Sequence, residues 1–286
     1  MRVRTTSTQR TYRYVRLALI AVLVFLAIGI AVQVARDGAL PSVSAAYYTS
    51  SRDVFVGALC AVSVALFALS GRSLEQALLD LAAVFAPVIA LVPTTVIPTA
   101  VPGLAATCPD ARACVPDTLL PTVSTSVTSL LVFGVLGIAG ALILARVQGT
   151  LGRGVGATAA AAALIVIGGG AWCLLDAPGF TRAAHVSAAV AFFVLIATVA
   201  ALAALRPVGV HDRRRRWLRV AYALIAAGIA GALALNLVAV AATEPTAIAG
   251  IPLFFLGEAL ALALFAAFWV VQTVELWNDP DPSLLA

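Results

Sequence analysis

Residues 17–34 read LALIAVLVFLAIGIAVQV, an apolar run bounded by Arg16 and Arg36 and interrupted only by Gln33. A helix of about 20 apolar residues crosses the hydrocarbon core of a bilayer. The run exceeds the roughly 7–15 residues of a signal-peptide core. A basic stretch precedes it and Val43-Ser44-Ala45 resembles a cleavage site, yet the length favours a retained helix. Further apolar runs follow, each bounded by charge, Pro or Gly. Together they predict eight spans, at 17–35, 54–70, 78–98, 125–146, 156–175, 185–205, 218–241 and 251–273. The second is the shortest.

The expected fold is all-α: an integral membrane helical bundle of about eight transmembrane helices, with both termini in the cytoplasm. Residues 1–16 form a basic cytoplasmic tail, 17–273 one transmembrane domain with an outer loop at 99–124, and 274–286 a cytoplasmic C-terminal tail. Composition agrees. The 286 residues are 62% hydrophobic and only 11% charged, with mean hydropathy +1.06. A soluble domain carries about 25% charged residues, so an ordinary soluble enzyme is excluded. The net charge of +5 comes with no basic patch interleaved with aromatics, and no nucleic-acid partner is expected.

All 18 basic residues are Arg, so Arg alone sets orientation. With the N-terminus inside, 14 fall on cytoplasmic segments and 4 (Arg36, Arg52, Arg112 and Arg182) outside. That excess predicts a cytoplasmic N-terminus, and an even number of spans returns the C-terminus to the same side. The expected location is the bacterial cytoplasmic membrane. The run Arg213, Arg214, Arg215 and Arg216 anchors the seventh span on that side. It also predicts contact with anionic lipid headgroups, at about 1 kcal/mol per residue.

Cys108 and Cys114 fall in the outer loop, where an oxidising compartment favours a disulfide over two free thiols. Cys60 and Cys173 lie within spans as small packing residues. Gly134, Gly137 and Gly140, and the triplet Gly168-Gly169-Gly170, predict close helix packing, with a kink at the triplet as the alternative.

Charge inside a span calls for an explanation. Asp80, near the cytoplasmic end of the third span, reads as a helix cap or a partner for a basic loop. Glu258 lies deeper, about 11 Å from the outer end of the last span. Asn236 lies at a similar depth in the seventh. Two readings stay open. Glu258 is protonated and bonded to Asn236, or it is a proton-accepting or ligand-binding carboxylate at the base of an outward cavity. Tyr47, Tyr48, Arg52, Asp53 and His185 fall at the same outer level, with Thr94, Thr95 and Asp176 near them. Singly they describe an interfacial belt. Together with Asn236 and Glu258 they define a candidate ligand-binding pocket.

Several chemistries are excluded. The two His residues, His185 and His211, lie on opposite sides, so neither a three-His zinc site nor paired haem ligation is available. Without Lys there is no phosphate loop of the Gly-Lys-Ser/Thr type, and no Gly-x-Ser-x-Gly elbow occurs. No metal, no cofactor and no recognisable catalytic motif is expected.

The stretch Ser42-Val43-Ser44-Ala45-Ala46-Tyr47-Tyr48-Thr49-Ser50-Ser51-Arg52-Asp53-Val54-Phe55-Val56-Gly57 resembles the segment Ser-x-Ser-x-Tyr-Tyr-x-Thr-x-x-Arg-Asp-x-Phe-Val-Gly of a family of uncharacterised bacterial polytopic membrane proteins. Glu258, Phe265 and Trp269 resemble that family's last helix, with Gln272 where a basic residue is expected. The resemblance implies no activity; it marks Tyr48, Arg52, Asp53 and Glu258. The expected function is binding of a small ligand or lipid at an outward-facing polar pocket. The alternatives are a small-solute or proton-coupled transporter using Glu258 and a lipid-modifying membrane enzyme. Oligomeric state is not legible in the sequence.

Overall fold

A computed structural model of the chain describes residues 7–71, 73–109, 112–206, 213–241 and 247–277. It is 81% helix. The helices are α1 (Ser7–Asp37), α2 (Arg52–Ala68), α3 (Leu74–Leu91), α4 (Leu120–Val147), α5 (Arg153–Leu175), α6 (Ala177–Leu205), α7 (Arg213–Ala241) and α8 (Leu253–Glu275). Seven are long and apolar enough to cross a membrane, α2 being the exception. The chain is a multi-pass membrane protein.

Local chemistry sets the boundaries, and several differ from the sequence expectation. The basic stretch from Ser7 to Arg16 is helical and continuous with the first span. Gly38, at φ 96, ends α1, its N–H donating to Val34 O at 3.0 Å. Helix α3 opens with Ser73 and Gln76 in a reciprocal capping box. It stops at Leu91, seven residues before the expected 98, because Val92 precedes Pro93 and takes an extended conformation. Helix α6 starts at Ala177 rather than 185, with Asp176 as N-cap accepting from the Gly179 N–H at 2.9 Å. A two-residue hairpin, β1 (Ala247–Ile248) with β2 (Ile251–Pro252), joins α7 to α8. Ala249 and Gly250 turn it with φ of 51 and 80, the backbone of a tight hairpin turn.

The main core gathers side chains from α1, α2, α3, α6, α7 and α8. Its largest fully buried members include Trp269, Tyr222, Phe265 and Phe268. Helices α4 and α5 form an outlying hairpin, held against α3 and α6 by a smaller cluster of Val92, Val115, Val123, Val127, Phe180 and Ala184. Val132, Phe133, Leu136 and Leu164 point outward from it, which costs nothing where the surroundings are acyl chains. The expected glycine packing holds only in part. Gly134 meets Val166 and Gly170 meets Leu131, whereas Gly137, Gly140, Gly168 and Gly169 have open space beside them. Helix α5 runs through the glycine triplet without a break.

Polar side chains collect at the two ends of the bundle. At one end the Arg206 guanidinium pairs with Glu75 and, at 3.2 Å, with Glu275. The Tyr222 hydroxyl donates to Glu275 Oε2 at 2.7 Å. Arg13 donates to the Trp277 carbonyl at 2.7 Å and lies 4.8 Å from its ring centre. The first turns of α1 and α3 and the last turns of α6 and α8 therefore meet at this end. Helix α2 returns the chain to it from the end that holds Glu258. Its 17 residues rise about 25 Å. Asp80 is not a helix cap: its Oδ2 accepts from Ser70 Oγ at 2.7 Å across the α2–α3 turn.

Candidate functional site

Between α1 and α2 the chain leaves helical geometry and turns into the bundle. Leu40, Val43, Ser44, Ala45, Ala46 and Tyr47 are buried there, around a 3-10 turn at Ser44–Tyr48. A buried non-helical segment must find partners for its polar groups. This one finds them on three helices and a loop. Ser50 Oγ donates to Gln33 Oε1 at 2.9 Å and Ser51 Oγ to the Gly29 carbonyl at 3.2 Å, both on α1. The Gln33 amide donates in turn to Asp37 at 2.7 Å. The Tyr48 hydroxyl donates to the Thr94 carbonyl, just past α3, at 2.5 Å. The Ser42 hydroxyl accepts from the Ala45 N–H at 2.9 Å and closes the turn itself.

The link to α8 is Glu258. Its Oε2 accepts from the Ser44 N–H at 3.0 Å and its Oε1 from Ser44 Oγ at 2.8 Å. A backbone N–H can only donate, so Oε2 is an acceptor whatever the protonation state. The Ser44 hydroxyl can donate or accept, so the second bond persists if a proton sits on Oε1. Among the described residues no Arg or His pairs with Glu258.

Of the two readings left open by the sequence, the bond to Asn236 is not the one formed. Asn236 Oδ1 has no hydrogen-bond partner among the described residues and lies against Gly257, one residue before Glu258. Glu258 is also shallower than expected. It stands five residues into α8, about 7.5 Å along the axis. Gly257 leaves no space for a methyl group against Asn236. Gly257→Ala is expected to cost about 1–3 kcal/mol through overpacking, read as a lowered midpoint in a denaturant titration of the purified protein.

The other candidate residues divide among separate contacts and do not line one pocket. The Arg52 Nη2 donates to the Tyr47 hydroxyl at 2.7 Å, with the guanidinium 4.3 Å from the Tyr47 ring centre. Asp53 is exposed in the first turn of α2. His185 is 2% exposed, its Nδ1 2.7 Å from the Val92 carbonyl. A carbonyl only accepts, so the proton sits on Nδ1, and Nε2 is left buried without a partner among the described residues. His185 therefore ties α6 to the end of α3 inside the bundle and does not face outward. Thr94 is buried beneath Tyr48. Two shallow grooves lie elsewhere on the helices. One runs along α4 by Thr128, Val132 and Phe133, the other between α1 and α2 by Val15, Cys60 and Val64.

Cys108 and Cys114 form a disulfide, with their Cα atoms 5.8 Å apart. Cys114 also exchanges two backbone bonds with Val96, each 3.1 Å. The loop after α3 is thereby fastened beside Thr94 and the Tyr48 hydroxyl. Burial, with Tyr47 beside it, pushes the Tyr48 phenol above its ordinary value and keeps it a neutral donor. A raised value means its contribution to stability is whole below about pH 10 and falls as pH rises beyond that. Tyr48→Phe is expected to lower stability by about 1 kcal/mol at neutral pH and to flatten the alkaline loss, as read by denaturant midpoints against pH.

Arg215 and Arg216 extend from the start of α7; the side chains of Arg213 and Arg214 lie outside the described residues, as do His211 and residues 278–286. Sequence reasoning did not pick out Ser44, Gln33 or the Arg206 cluster. Gln33 carried a signal, as the one strongly polar residue of the first span. Glu75, Arg206 and Glu275 carried none beyond their places at span ends. No family model, no curated protein and no solved structure matches the chain.

Proposed function

We propose that this is a protein of the bacterial cytoplasmic membrane, with eight crossings and both termini inside, that binds a small ligand or lipid at its outer face. It belongs, in this reading, to the family of uncharacterised bacterial polytopic membrane proteins that its Ser42–Gly57 stretch resembles. The excess of Arg on one set of loops supports the orientation, and so does the return of α2 to the end where α1 begins. The Glu258 end is then the outer one, and the Arg215 and Arg216 side chains reach anionic headgroups on the inner.

One observation carries the binding reading. Glu258 is a carboxylate near a helix end whose two hydrogen-bond partners both belong to one residue, Ser44, at the start of the 3-10 turn. It is partly exposed already, and a shift of that turn exposes it further. With no cationic partner among the described residues, it favours a ligand that brings a hydrogen-bond-donating cationic group, such as an ammonium. The transporter alternative requires a cavity that passes Glu258 toward mid-membrane.

The test is chemical protection. A hydrophobic carbodiimide modifies accessible carboxyls in membranes, and peptide mass locates the product. Modification of Glu258 is expected to be slower in nanodiscs of phosphatidylethanolamine than in phosphatidylglycerol, or slower with free ethanolamine added. Equal rates under all these conditions overturn the binding reading. Orientation is tested apart from it. Asp53→Cys, with Cys60 and Cys173 changed to Ala, is expected to react with an impermeant maleimide in whole cells. Reaction only after permeabilisation overturns the orientation.

A further inference from the structure

We infer that α8 is a lever fastened at both ends, and that releasing its outer fastening loosens the inner one. The outer fastening is Glu258 on Ser44. The inner one is Glu275, held by Arg206 at 3.2 Å and by the Tyr222 hydroxyl at 2.7 Å. Seventeen residues, about 25 Å, separate them. Together with the packed middle of α8, they place most of this helix's polar anchoring at its two extremities.

The middle is closely packed. Phe265, Phe268 and Trp269 are buried to within 1%. Their rings meet edge to face, Phe265 to Trp269 at 6.2 Å and Phe268 to Trp269 at 5.3 Å. Two further contacts belong to residues or helices that also hold the inner end. The Tyr222 ring packs on Phe268 at 5.8 Å while its hydroxyl holds Glu275. Phe192 of α6 packs on Phe265 at 5.2 Å, and Arg206, just past the end of α6, holds Glu275. A tilt of α8 at the outer end thus displaces the same aromatic block that aligns Tyr222 with Glu275. Close-packed interiors transmit such shifts because they do not deform smoothly.

The fastenings differ in kind. The outer one rests on a single non-helical segment. The inner one draws on three helices and a full ion pair, with Glu75 as a second carboxylate on Arg206. The outer one is therefore the natural release point. Coupling of this kind is reciprocal: what loosens one end by a factor loosens the other by the same factor. The inference stands without any ligand, and it gives an event at the outer face a route to the cytoplasmic one.

A double-mutant cycle tests it on the purified full chain in mixed micelles. Ser44→Ala keeps the backbone bond to Glu258, and Arg206→Gln keeps hydrogen bonding at the inner end. The two are expected to change the unfolding equilibrium non-additively by about fivefold or more, within the range of allosteric coupling. Ser44→Ala is also expected to speed backbone hydrogen exchange at residues 270–276 while leaving α4 and α5 unchanged. Additive effects overturn the inference, and so does faster exchange confined to residues 253–260 or spread evenly over every helix. If the double variant fails to accumulate, exchange at 253–260 in Arg206→Gln alone decides by the same rule: faster supports coupling, unchanged overturns it.

Discussion

Glu258→Ala is expected to destabilise the protein by about 1–3 kcal/mol, because it strands a buried N–H group, a loss of that size when no partner replaces the carboxylate. That group is the Ser44 N–H, and the Ser44 hydroxyl loses its acceptor with it. Glu258→Gln keeps a carbonyl for the Ser44 N–H and is expected to cost only about 1 kcal/mol. The comparison separates a hydrogen-bonding role from a need for charge. Denaturant titration of the three proteins in one micelle composition reads both differences. A Gln variant as damaged as the Ala variant means that the charge is what the segment needs.

Trp269→Ala is expected to be the most damaging change in the core, at about 3 kcal/mol or more. Large-to-small aromatic truncations cost about 3–5 kcal/mol in soluble cores. A membrane protein sits at the lower end, because its unfolded helices remain in lipid and little transfer energy is lost. What is lost is packing, against Phe265 and Phe268. Trp269→Phe behaves differently. The indole Nε1 is buried with no partner among the described residues, so removing it relieves a group that is costly to desolvate. The Phe variant is expected to stay within about 1 kcal/mol of the parent, the range of shape-conserving core swaps. Equal losses in both variants contradict this account of the aromatic block.

Much of the architecture was legible because bilayer thickness sets helix length. The apolar runs near 17–35, 125–146, 156–175 and 251–273 each correspond to a helix. Boundaries were less legible where a cap outweighed hydropathy. Ser73 with Gln76 starts α3 before the apolar run begins, and Pro93 ends it while apolar residues continue. Asp176 likewise starts α6 through amphipathic sequence that hydropathy left to the loop.

The candidate site was legible as positions and not as pairings. Glu258 stood out because a carboxylate in apolar sequence is costly. Its partner did not stand out, because Ser44 is 214 residues away and a serine at a loop is unremarkable by local pattern. Asn236 was inferred from depth along two antiparallel helices. The structure places it nearby, with its amide oxygen against Gly257. Tyr47, Tyr48 and Arg52 cluster in the sequence, and their side chains do gather in one buried segment. They satisfy that segment's own hydrogen bonds. The Arg206 cluster was illegible because charges at span ends serve orientation equally well.

Backbone hydrogen exchange over residues 42–51, compared among the parent, Glu258→Gln and Glu258→Ala, tests most directly whether Glu258 holds this segment in the bundle. Slow exchange in the parent and in the Gln variant, with fast exchange in the Ala variant while α4 and α5 stay unchanged, is the predicted result. Exchange over 42–51 that is equally slow in the Ala variant would contradict it, since the segment would then be held by something other than Glu258.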